Sequence, residues 1–476
     1  SPEPVYAVVA ESPSGPTFEL LPADGLRGLT SHEKIMALHA EYADAHFAVI
    51  GPAGEHTETV YFAAVALSTE NQLKSGQEKS RWAGRGGMGT VMGSKNLRAI
   101  VARSKDKRAK RTPVLRDLNR EIAGGVGSRK FREKKQGGAG GTWSNYEPLQ
   151  EFYLVPANNF RPTGNDAIEE MFRDNLEDEL FIKAESCFRC GISCHKNIYE
   201  RTADGGRGEF LAKFDYEPLN LLSNNLGITD PREAAALVRR VDLLGMDSIS
   251  CGTTIAYVCD YNGRHPDAPI ANGARFGAFE KIMELVEATG SGKLPLVGRG
   301  VKRLAESLNE PGYAMHVKGL ELPAYLPDSN PGYPWAIAGG HMSLYTFLLL
   351  AFENDTSLDY WVKAITERGC LPLRDDMTGA CKFAGLTPEM AAQAIQEATG
   401  LEVSVDELQA SARRAFLRGL ALERKQGYQD ADYTLPGQVF DHPNEKLKTP
   451  NFITQEFFSE MKRRVWEVLN PEIEDL

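Results

Sequence analysis

Cysteine is scarce in this sequence: the 476 residues contain only seven, at positions 187, 190, 194, 251, 259, 370 and 381. A sparse and odd set of cysteines does not provide the disulfide framework on which small secreted domains depend. The composition therefore predicts a protein of a reducing compartment, the cytoplasm. Its cysteines are expected to be free, buried or bound to a metal.

An excess of positive charge is also absent. The 54 lysines and arginines are outweighed by 65 aspartates and glutamates, which gives a net charge of −11. Binding to nucleic acid or to an anionic membrane surface normally requires a cationic face, so the charge balance argues against both classes of function.

No apolar run is long enough to span a bilayer without interruption. The most apolar stretch, WAIAGGHMSLYTFLLLAF (335–352), is broken by two glycines, His341, Ser343 and Thr346. A spanning helix needs about 20 predominantly apolar residues, so this stretch is predicted to form a buried core helix. The rest of the composition is that of a globular protein, and the length predicts roughly two or three domains.

Strands and one helix are predicted for the first part of the chain. Apolar runs at 5–10 and 18–21 lie between Pro, Gly and Ser turns, and SHEKIMALHAEYADA (31–45) predicts a helix capped by Ser31. HFAVIGPAG and TVYFAAVALS, at 46–54 and 59–68, predict further strands. We interpret residues 1 to about 105 as one α/β or α+β unit, followed by a Gly-rich basic linker or loop at 124–142.

Helices are predicted to dominate after about residue 165. The clearest is DPREAAALVRRVDLLG, in which Asp230 is the N-cap, Pro231 is the first helical residue and Gly245 follows the last turn. Three further segments have helical apolar periodicity and lie at 387–400, 404–427 and 454–469.

Three cysteines lie close together in CFRCGISC (187–194), with the spacing C-x2-C-x3-C. Tetrahedral iron and zinc sites take four ligands, and His195 follows Cys194 too closely to share its metal easily. The spacing favours an iron–sulfur cluster completed by a distant fourth cysteine over a zinc knuckle, and both interpretations remain open from the residues alone.

A Gly-rich basic segment, RWAGRGGMGTVMGSKNLRAI, occupies residues 81–100. It has neither the G-K-[ST] ending of a P-loop nor the G-x-G-x-x-G of a dinucleotide-binding turn. Backbone amides without side chains, flanked by Arg81, Arg85 and Lys95, nevertheless predict a cradle for a phosphate. The alternative is a basic Gly-rich turn on the surface.

The pattern D-x-x-G occurs twice, in DLLGMD (242–247) and in DDMTGACKF (375–383). A single copy is typical of an ordinary helix end, where glycine turns the chain. The two oxygens of Asp242 or Asp376 also match paired N–H donors on a heterocycle such as a pterin. Cys381 follows the second copy by two residues, so the repetition favours binding.

Two titratable residues are candidates for catalysis. Glu217 precedes an apolar, Asn-rich run, and His341 lies inside the most apolar stretch of the chain. A solvated glutamate and a hydrogen-bonded core histidine are the alternatives without function.

Taken together, these stretches resemble the tungsten-pterin aldehyde:ferredoxin oxidoreductase family. GRGGMGTVMGSKNLRAI, CFRCGISC, DLLGMDSIS and DDMTGACKF match the motifs of that family in order, and PVYAVVAE and IGPAGE match its first domain more weakly. The resemblance implies an α+β fold, with a partial β-rich pterin-binding N-terminal domain (1–108) followed by two mainly α-helical domains (109–318 and 319–476).

The resemblance also implies a set of cofactors, namely a tungsten or molybdenum centre held by two pterins, a magnesium ion bridging the pterin phosphates, and a 4Fe–4S cluster. The implied cluster ligands are Cys187, Cys190, Cys194 and Cys381. The implied pterin-binding residues are Asp242, Gly245 and Asp247 for one pterin, Asp376, Gly379 and Lys382 around the second motif, and Arg81, Trp82, Arg85, Gly86, Gly87, Gly89 and Lys95 near the phosphates and magnesium.

The reaction implied is oxidation of an aldehyde with water to a carboxylic acid, with two electrons passing through the cluster to ferredoxin or an iron–sulfur subunit. Glu217 is expected to orient or deprotonate the water, and His341 to hydrogen-bond the carbonyl or metal oxo group. An oligomer is also expected.

Two departures from the family pattern accompany the resemblance. Residues 338–340 read AGG where the family has RG before the histidine. A longer N-terminal segment is also usual in the family, and we expect processing, truncation or a separate chain to account for it.

Two other functions compete with aldehyde oxidation. A related tungsten enzyme could reduce an aryl-CoA or other carbonyl compound, although those enzymes carry a cysteine at the place of Glu217. A zinc-stabilised scaffold is the alternative of a different class.

Overall fold

The computed structural model describes residues 1–104, 112–125, 141–164, 168–187, 190–339, 355–448 and 451–476. His341 and most of the apolar stretch that was predicted to form a core helix, residues 340–352, lie outside the described residues. Most of the predicted linker at 124–142 does so as well.

A six-stranded sheet forms the first part of the chain, in the order β2-β1-β6-β3-β4-β5. Only the β1–β6 pair is parallel, and the other neighbours are antiparallel. The strands are β1 (Val5–Ser12), β2 (Gly15–Pro22), β3 (Ala45–Ile50), β4 (Val65–Leu67), β5 (Arg81–Ala83) and β6 (Leu97–Arg103). The strands predicted within residues 1 to about 105 are thus present, with a shorter strand in 59–68 than expected.

The helix at Ser31–Glu41, α1, packs on this sheet, and its N-cap lies one residue before the predicted one. Thr30 is the N-cap, and it exchanges hydrogen bonds with Glu33 in a capping box. Ser31 is instead the first helical residue, and its hydroxyl donates to the carbonyl of Asp242 at 2.8 Å. The prediction of Ser31 as N-cap was therefore wrong, because Thr30 and Glu33 have the reciprocal spacing that a capping box requires.

A second sheet interrupts the region that was predicted to be mainly helical. Its strands β7 (Leu180–Glu185), β8 (His195–Arg201) and β9 (Arg207–Phe214) form an antiparallel meander. Along β9, Phe210, Ala212 and Phe214 are buried in alternation, which is the period of a strand with one face on a core. The cysteine triplet lies in the connection from β7 to β8.

Helices make up most of the remaining described chain. They are α2 (Glu70–Ser75), α3 (Met88–Ser94), α4 (Pro113–Gly124), α5 (Tyr146–Glu151), α6 (Arg173–Leu176), α7 (Tyr216–Leu221), α8 (Pro231–Leu244), α9 (Ser248–Arg264), α10 (Phe279–Gly290), α11 (Pro295–Gly298), α12 (Val301–Leu308), α13 (Leu358–Lys363), α14 (Leu371–Thr378), α15 (Pro388–Thr399), α16 (Val405–Lys425), α17 (Gln438–Asp441) and α18 (Gln455–Glu474). A short hairpin of β10 (His316–Val317) and β11 (Leu320–Glu321) follows α12.

The caps predicted for α8 are confirmed, since Asp230 accepts from the N–H groups of Arg232 and Glu233, and Gly245 is left-handed at the other end.

The fold as a whole is α+β, as predicted. No helix among the described residues combines the length and the apolar character needed to cross a membrane.

Two clusters of buried side chains form the cores. One is confined to residues 6–101 and lies between the six-stranded sheet and α1. The other runs from Ala53 to Leu469 and includes side chains on both sides of residue 318. The domain limits at 108 and 318 stay predictions.

Candidate active site

The Gly-rich segment leaves the edge strand β5, turns sharply and enters α3. Gly86 and Gly87 both adopt positive φ, of 81° and 69°. A Cβ added at Gly87 would lie 2.4 Å from the carbonyl oxygen of Tyr61, whereas at Gly86 it would meet nothing within 4 Å. The loop is therefore pressed against the chain on one side and open on the other. Gly89 also packs closely, and its N–H donates to the carbonyl of Ala63 at 2.9 Å.

Arg85 joins this loop to the first D-x-x-G-x-D motif. Its Nε donates to Oδ2 of Asp247 at 3.1 Å, and its Nη2 donates to the carbonyl of Glu321 at 2.6 Å. The remaining nitrogen, Nη1, is buried and has no hydrogen-bond partner among the described residues. Arg85 thus offers a free donor next to the open side of the loop.

The second aspartate of the motif, Asp247, is occupied by the protein itself. Its Oδ1 accepts from the N–H of Ile249 at 3.0 Å as the N-cap of α9, and its Oδ2 accepts from the hydroxyl of Ser250 at 2.8 Å. With Arg85 as a third partner, this carboxylate positions the arginine.

The first aspartate, Asp242, lies half-buried near the end of α8, beside Trp82 and Lys213 in a small cavity. Burial raises the pKa of Asp242 to about 6, and the positive charge on Lys213 opposes that shift. Gly245 turns the chain with a φ of 74°, and a Cβ there would lie 2.7 Å from Cα of Gly51. The close backbone contact fixes the end of α8 against the first domain.

Glu217 lies in the first turn of α7, next to these groups. The residue is half-buried, but its Oε1 atom is shielded from solvent and has no hydrogen-bond partner in the described parts of the chain. Burial raises the pKa of Glu217 to about 7, while the charge on Arg85 opposes the shift and those on Asp247 and Asp215 add to it. A carboxyl with this pKa can donate or accept a proton at neutral pH.

Tyrosine side chains surround the same carboxyl. Burial, with the nearby charge of Glu217 as a further cause, raises the pKa of Tyr325 and of Tyr333 above the usual value. Both phenols therefore stay neutral around Glu217. These tyrosines were not predicted as site residues, because GYPWAI and LPAYLPD have no spacing that distinguishes them from core residues.

The cysteine triplet and Cys381 converge, although they lie far apart in sequence. The N–H of Cys190 donates to the carbonyl of Cys187 at 3.0 Å, and the N–H of Ile192 donates to Sγ of Cys190 at 3.4 Å. Burial raises the pKa of Cys194 to about 12, with Asp215, Cys187 and Cys381 as further causes.

The thiol of Cys381 in turn interacts with both Cys187 and Cys190. Cys187 and Cys381 are exposed at the surface of the chain. Among the described residues, no group of three or more His, Cys, Asp or Glu side chains is arranged to hold a single metal ion.

Arg81 reaches from β5 to the cysteine loop. Its Nη2 donates to Sγ of Cys187 at 2.9 Å and also contacts Nδ1 of His195. Burial, followed by the charge on Arg81, lowers the pKa of His195 to about 3, so this imidazole is neutral. Asp215 lies near the arginine and pairs with Lys213 at 3.4 Å.

The second D-x-x-G motif ends α14. Gly379 is left-handed with a φ of 70°, and a Cβ there would meet nothing within 4 Å. The Asp376 side chain is 52% exposed, and its Oδ1 lies 3.8 Å from Nζ of Lys382. The structure thus brings Asp376, Gly379 and Lys382 to one open surface next to Cys381.

Two predicted residues are not placed with the others. Lys95 is exposed at the C-cap of α3, the end of the helix opposite to Gly87. His341 lies outside the described residues.

A cavity lined by charged side chains of both signs was not predicted from the sequence. It has a volume of about 590 Å³ and opens beside Gly86, Gly87 and Ser250. Four positively charged side chains line it, Arg299, Lys302, Arg303 and Lys318, and so do three acidic ones, Glu306, Glu321 and Asp432. Lys302 pairs with Asp432 at 3.5 Å. The run GRGVKR (298–303) was a usable signal, because it places three cations within five residues at the start of a helix.

Comparisons with known proteins agree with this arrangement. Residues 1–104 match the sequence profile of the aldehyde ferredoxin oxidoreductase N-terminal domain, and residues 127–470 match domains 2 and 3 of the same family. The tungsten-containing aldehyde ferredoxin oxidoreductase of Pyrococcus abyssi is 29% identical over 476 residues, covering 92% of this chain and 73% of the relative. That of Thermococcus kodakarensis is 27% identical over 470 residues, covering 93% and 73%.

Two further matches are to proteins with other functions. The WOR-like subunit of an aliphatic sulfonate oxidoreductase from Pyrococcus furiosus is 30% identical over 281 residues, covering 53% of this chain and 43% of the relative. The BamBC active-site complex of benzoyl coenzyme A reductase, solved with 1,5-dienoyl-CoA, has the same fold. Its TM-score is 0.71 at 16% identity, over 99% of this chain and 77% of that one. Because the family profiles match nearly the whole sequence, this chain belongs to the aldehyde ferredoxin oxidoreductase family and is an oxidoreductase.

Proposed function

We propose that this chain oxidises an aldehyde with water to a carboxylic acid, and passes two electrons through a 4Fe–4S cluster to ferredoxin or an iron–sulfur subunit. The supporting observation is the Glu217 carboxyl, whose shielded oxygen has no hydrogen-bond partner among the described residues and whose charge interacts with Arg85 beside the Gly-rich loop. A buried carboxyl of this kind can take a proton from water.

Membership of the family implies a tungsten-pterin cofactor, and the residues present fit one. The buried Nη1 of Arg85 lacks a partner among the described residues, and Gly86 leaves open space for a ligand to approach its backbone. When bound, such a centre supplies the acceptor for two electrons. The residues proposed to hold it, together with a magnesium ion, are Arg81, Trp82, Arg85, Gly86, Gly87, Gly89, Asp242, Gly245, Asp247, Asp376, Gly379 and Lys382. Lys95 is exposed at the end of α3 opposite to Gly87, so its part in binding stays a prediction from the resemblance.

Glu217 has the protonation balance that the reaction requires. Its pKa of about 7 leaves a large fraction as carboxylate at neutral pH, and this form accepts a proton at Oε1. Converting an aldehyde and water to an acid releases two protons with the two electrons, so a base is needed. Tyr325 and Tyr333 are buried near Glu217, and His341 is proposed to hydrogen-bond the carbonyl oxygen.

The four cysteines near Arg81 are proposed to hold the cluster. Cys187, Cys190 and Cys194 come from one loop, and Cys381 comes from the segment that also carries Asp376. Two of these thiols are exposed, so an electron acceptor could approach there.

A second candidate function is reduction of an aryl-CoA or another carbonyl compound. The fold likeness to the benzoyl coenzyme A reductase complex is compatible with it, but Glu217 stands where the resemblance places a cysteine in those enzymes. Aldehyde and aryl-CoA substrates should therefore be tested side by side.

The protein purified from its natural source, with any chain that accompanies it, tests the proposal. Elemental analysis should find tungsten and about four irons per chain, and an aldehyde should reduce a viologen dye or ferredoxin. Zinc in place of tungsten and iron would contradict the proposal, and turnover of an aryl-CoA without turnover of aldehydes would favour the second candidate.

A variant tests the role of Glu217 separately. E217Q should lower kcat by about 10²–10⁴-fold with unchanged tungsten content. It should also lose the rise in activity that the wild-type enzyme shows as pH increases through about 7, where Glu217 becomes a carboxylate. E209Q, on an exposed residue of the strand leading to this site, is the control. A wild-type pH profile retained in E217Q would assign the base elsewhere.

A further inference from the structure

We propose that Arg81 sets the reduction potential of the iron–sulfur cluster by donating a charged hydrogen bond to the thiolate sulfur of Cys187. The inference rests on the proposed function, since it requires the cluster. It assigns Arg81 a task beyond the contact with a pterin phosphate that the sequence resemblance implies.

The inference is based on a direct contact between the Gly-rich segment and the cysteine loop. Nη2 of Arg81 lies 2.9 Å from Sγ of Cys187, across 106 residues of sequence. The same guanidinium contacts His195, which directly follows Cys194 in the chain. Its Nε is buried without a hydrogen-bond partner within the described ranges. Arg81 is thus held at the cysteine loop with donor capacity to spare.

The position of Arg81 also connects the cluster loop with the proposed pterin site. Arg81 begins β5, and the next residue, Trp82, borders the small cavity that contains Asp242. Four residues after Arg81, Arg85 contacts Asp247. Arg81 therefore connects the cysteine loop with the segment that is proposed to hold the pterin.

The direction of the effect follows from electrostatics. Reduction adds one negative charge to the cluster and its thiolates, and hydrogen bonds to the sulfurs together with nearby charge set the potential of such clusters. A guanidinium remains protonated at all accessible pH values, and its attraction to the sulfur is strengthened by the low dielectric of a half-buried site. Arg81 should stabilise the reduced cluster more than the oxidised one, which raises the potential.

Neighbouring charges moderate the effect without cancelling it. Asp215 interacts with Arg81, but it also pairs with Lys213 at 3.4 Å. Among these groups Arg81 is the one that donates to a cysteine sulfur, so its replacement should change the potential while leaving the Asp215–Lys213 pair in place.

The experiment is a redox titration of the cluster by EPR, on the complete protein with its cofactors and accompanying chains. In R81Q, the ratio of reduced to oxidised cluster at a fixed potential should fall about tenfold, a shift of about 59 mV for one electron. R81K keeps the charge but loses the planar fork, so its shift should be smaller and in the same direction. R103Q, which removes an arginine paired with Asp44 on the same sheet, should leave the potential unchanged.

The outcomes separate this inference from the proposed function. A wild-type protein without iron refutes the cluster itself, and with it the proposed function. If the wild-type protein contains the cluster and the reduction potential is unchanged in R81Q and R81K, the inference is wrong but the proposed function stands. Loss of the cluster from both variants also overturns the inference, because Arg81 would then be a structural requirement of the cysteine loop.

Discussion

Nε of Arg85 lies 3.1 Å from Oδ2 of Asp247, although 162 residues separate them in sequence. Both side chains are largely buried, at 15% and 3% exposure. The pair joins the Gly-rich loop to the start of α9, and thereby fixes the position of Nη1 of Arg85, which has no hydrogen-bond partner among the described residues. The Gly-rich segment and the DLLGMD motif, which were predicted separately to bind the cofactor, are thus joined by a direct ion pair.

The coupling predicts a large loss of stability in D247A. The substitution removes the N-cap of α9 and leaves the buried Arg85 charge unpaired, and breaking a buried pair in this way costs about 3–5 kcal/mol. D230A removes the exposed N-cap of the preceding helix and should cost about 1 kcal/mol. Thermal unfolding of the two variants should show a clearly larger drop in Tm for D247A. Equal drops would mean that the ion pair adds nothing to the cap.

The Gly-rich loop offers a comparison between adjacent glycines. G87A places a Cβ 2.4 Å from the Tyr61 carbonyl oxygen at a positive φ, so the loop must move. G86A has a positive φ as well, with a cost of roughly 1 kcal/mol, but its Cβ enters open space. Tungsten content per chain should therefore fall severely in G87A and less in G86A. A greater loss in G86A would place the cofactor against Gly86 more tightly than the loop geometry alone requires.

Sequence patterns predicted the elements whose signals are local. Asp230, Pro231 and Gly245 defined α8 because a cap, a fixed φ and a left-handed turn are each properties of one residue. The convergence of Cys381 with the triplet came from a family resemblance, since spacing alone cannot show which distant cysteine approaches a loop. The sheet β7–β9 was missed because the burial alternation of Phe210, Ala212 and Phe214 is short and follows a polar hairpin turn.

The candidate active site was predictable only in part, because the properties of its residues depend on contacts between distant segments. The pKa of Glu217 depends on burial and on the charges of Arg85, Asp247 and Asp215, which three separate segments bring together. Asp247 could be assigned to a motif, but its use as an N-cap and partner of Arg85 follows from the packing of α9 against the loop. Tertiary contacts of this kind have no signature in a single sequence.

Asp242 gives a prediction that depends on pH. Its folded-state pKa of about 6 is above the usual value, so in cofactor-free protein its contribution is favourable at low pH and is lost as pH rises through about 6. D242N should therefore gain stability relative to wild type between pH 4 and pH 8, on the order of 1–2 kcal/mol after allowing for partial exposure. Urea denaturation of the two cofactor-free proteins at pH 4 and at pH 8 measures this difference in the free energy of unfolding.

In the presence of the cofactor, D242N should be at a disadvantage relative to the wild-type protein. N–H donors of a bound pterin would favour the Asp242 carboxylate, so D242N should bind tungsten more weakly than the wild-type protein even where the cofactor-free variant is more stable. D260N is not a suitable control, because Asp260 is itself ion-paired with Arg161 and Arg264. E209Q, at an exposed position on β9, serves instead. Unchanged tungsten content in D242N would remove Asp242 from the proposed pterin site.

Cys381 is the residue whose substitution decides whether the second D-x-x-G segment belongs to the cluster. C381S replaces a thiolate by a poor iron ligand, so the visible absorbance and the iron content should fall sharply. Cys370 is the matched control, because it lies half-buried at the start of α14, where its Sγ contacts the carbonyl of Glu367 at 3.2 Å. C370S should keep both signals. An unchanged spectrum in C381S would mean that Cys187, Cys190 and Cys194 have a different fourth ligand. The segment that contains Asp376 would then not contribute to the cluster.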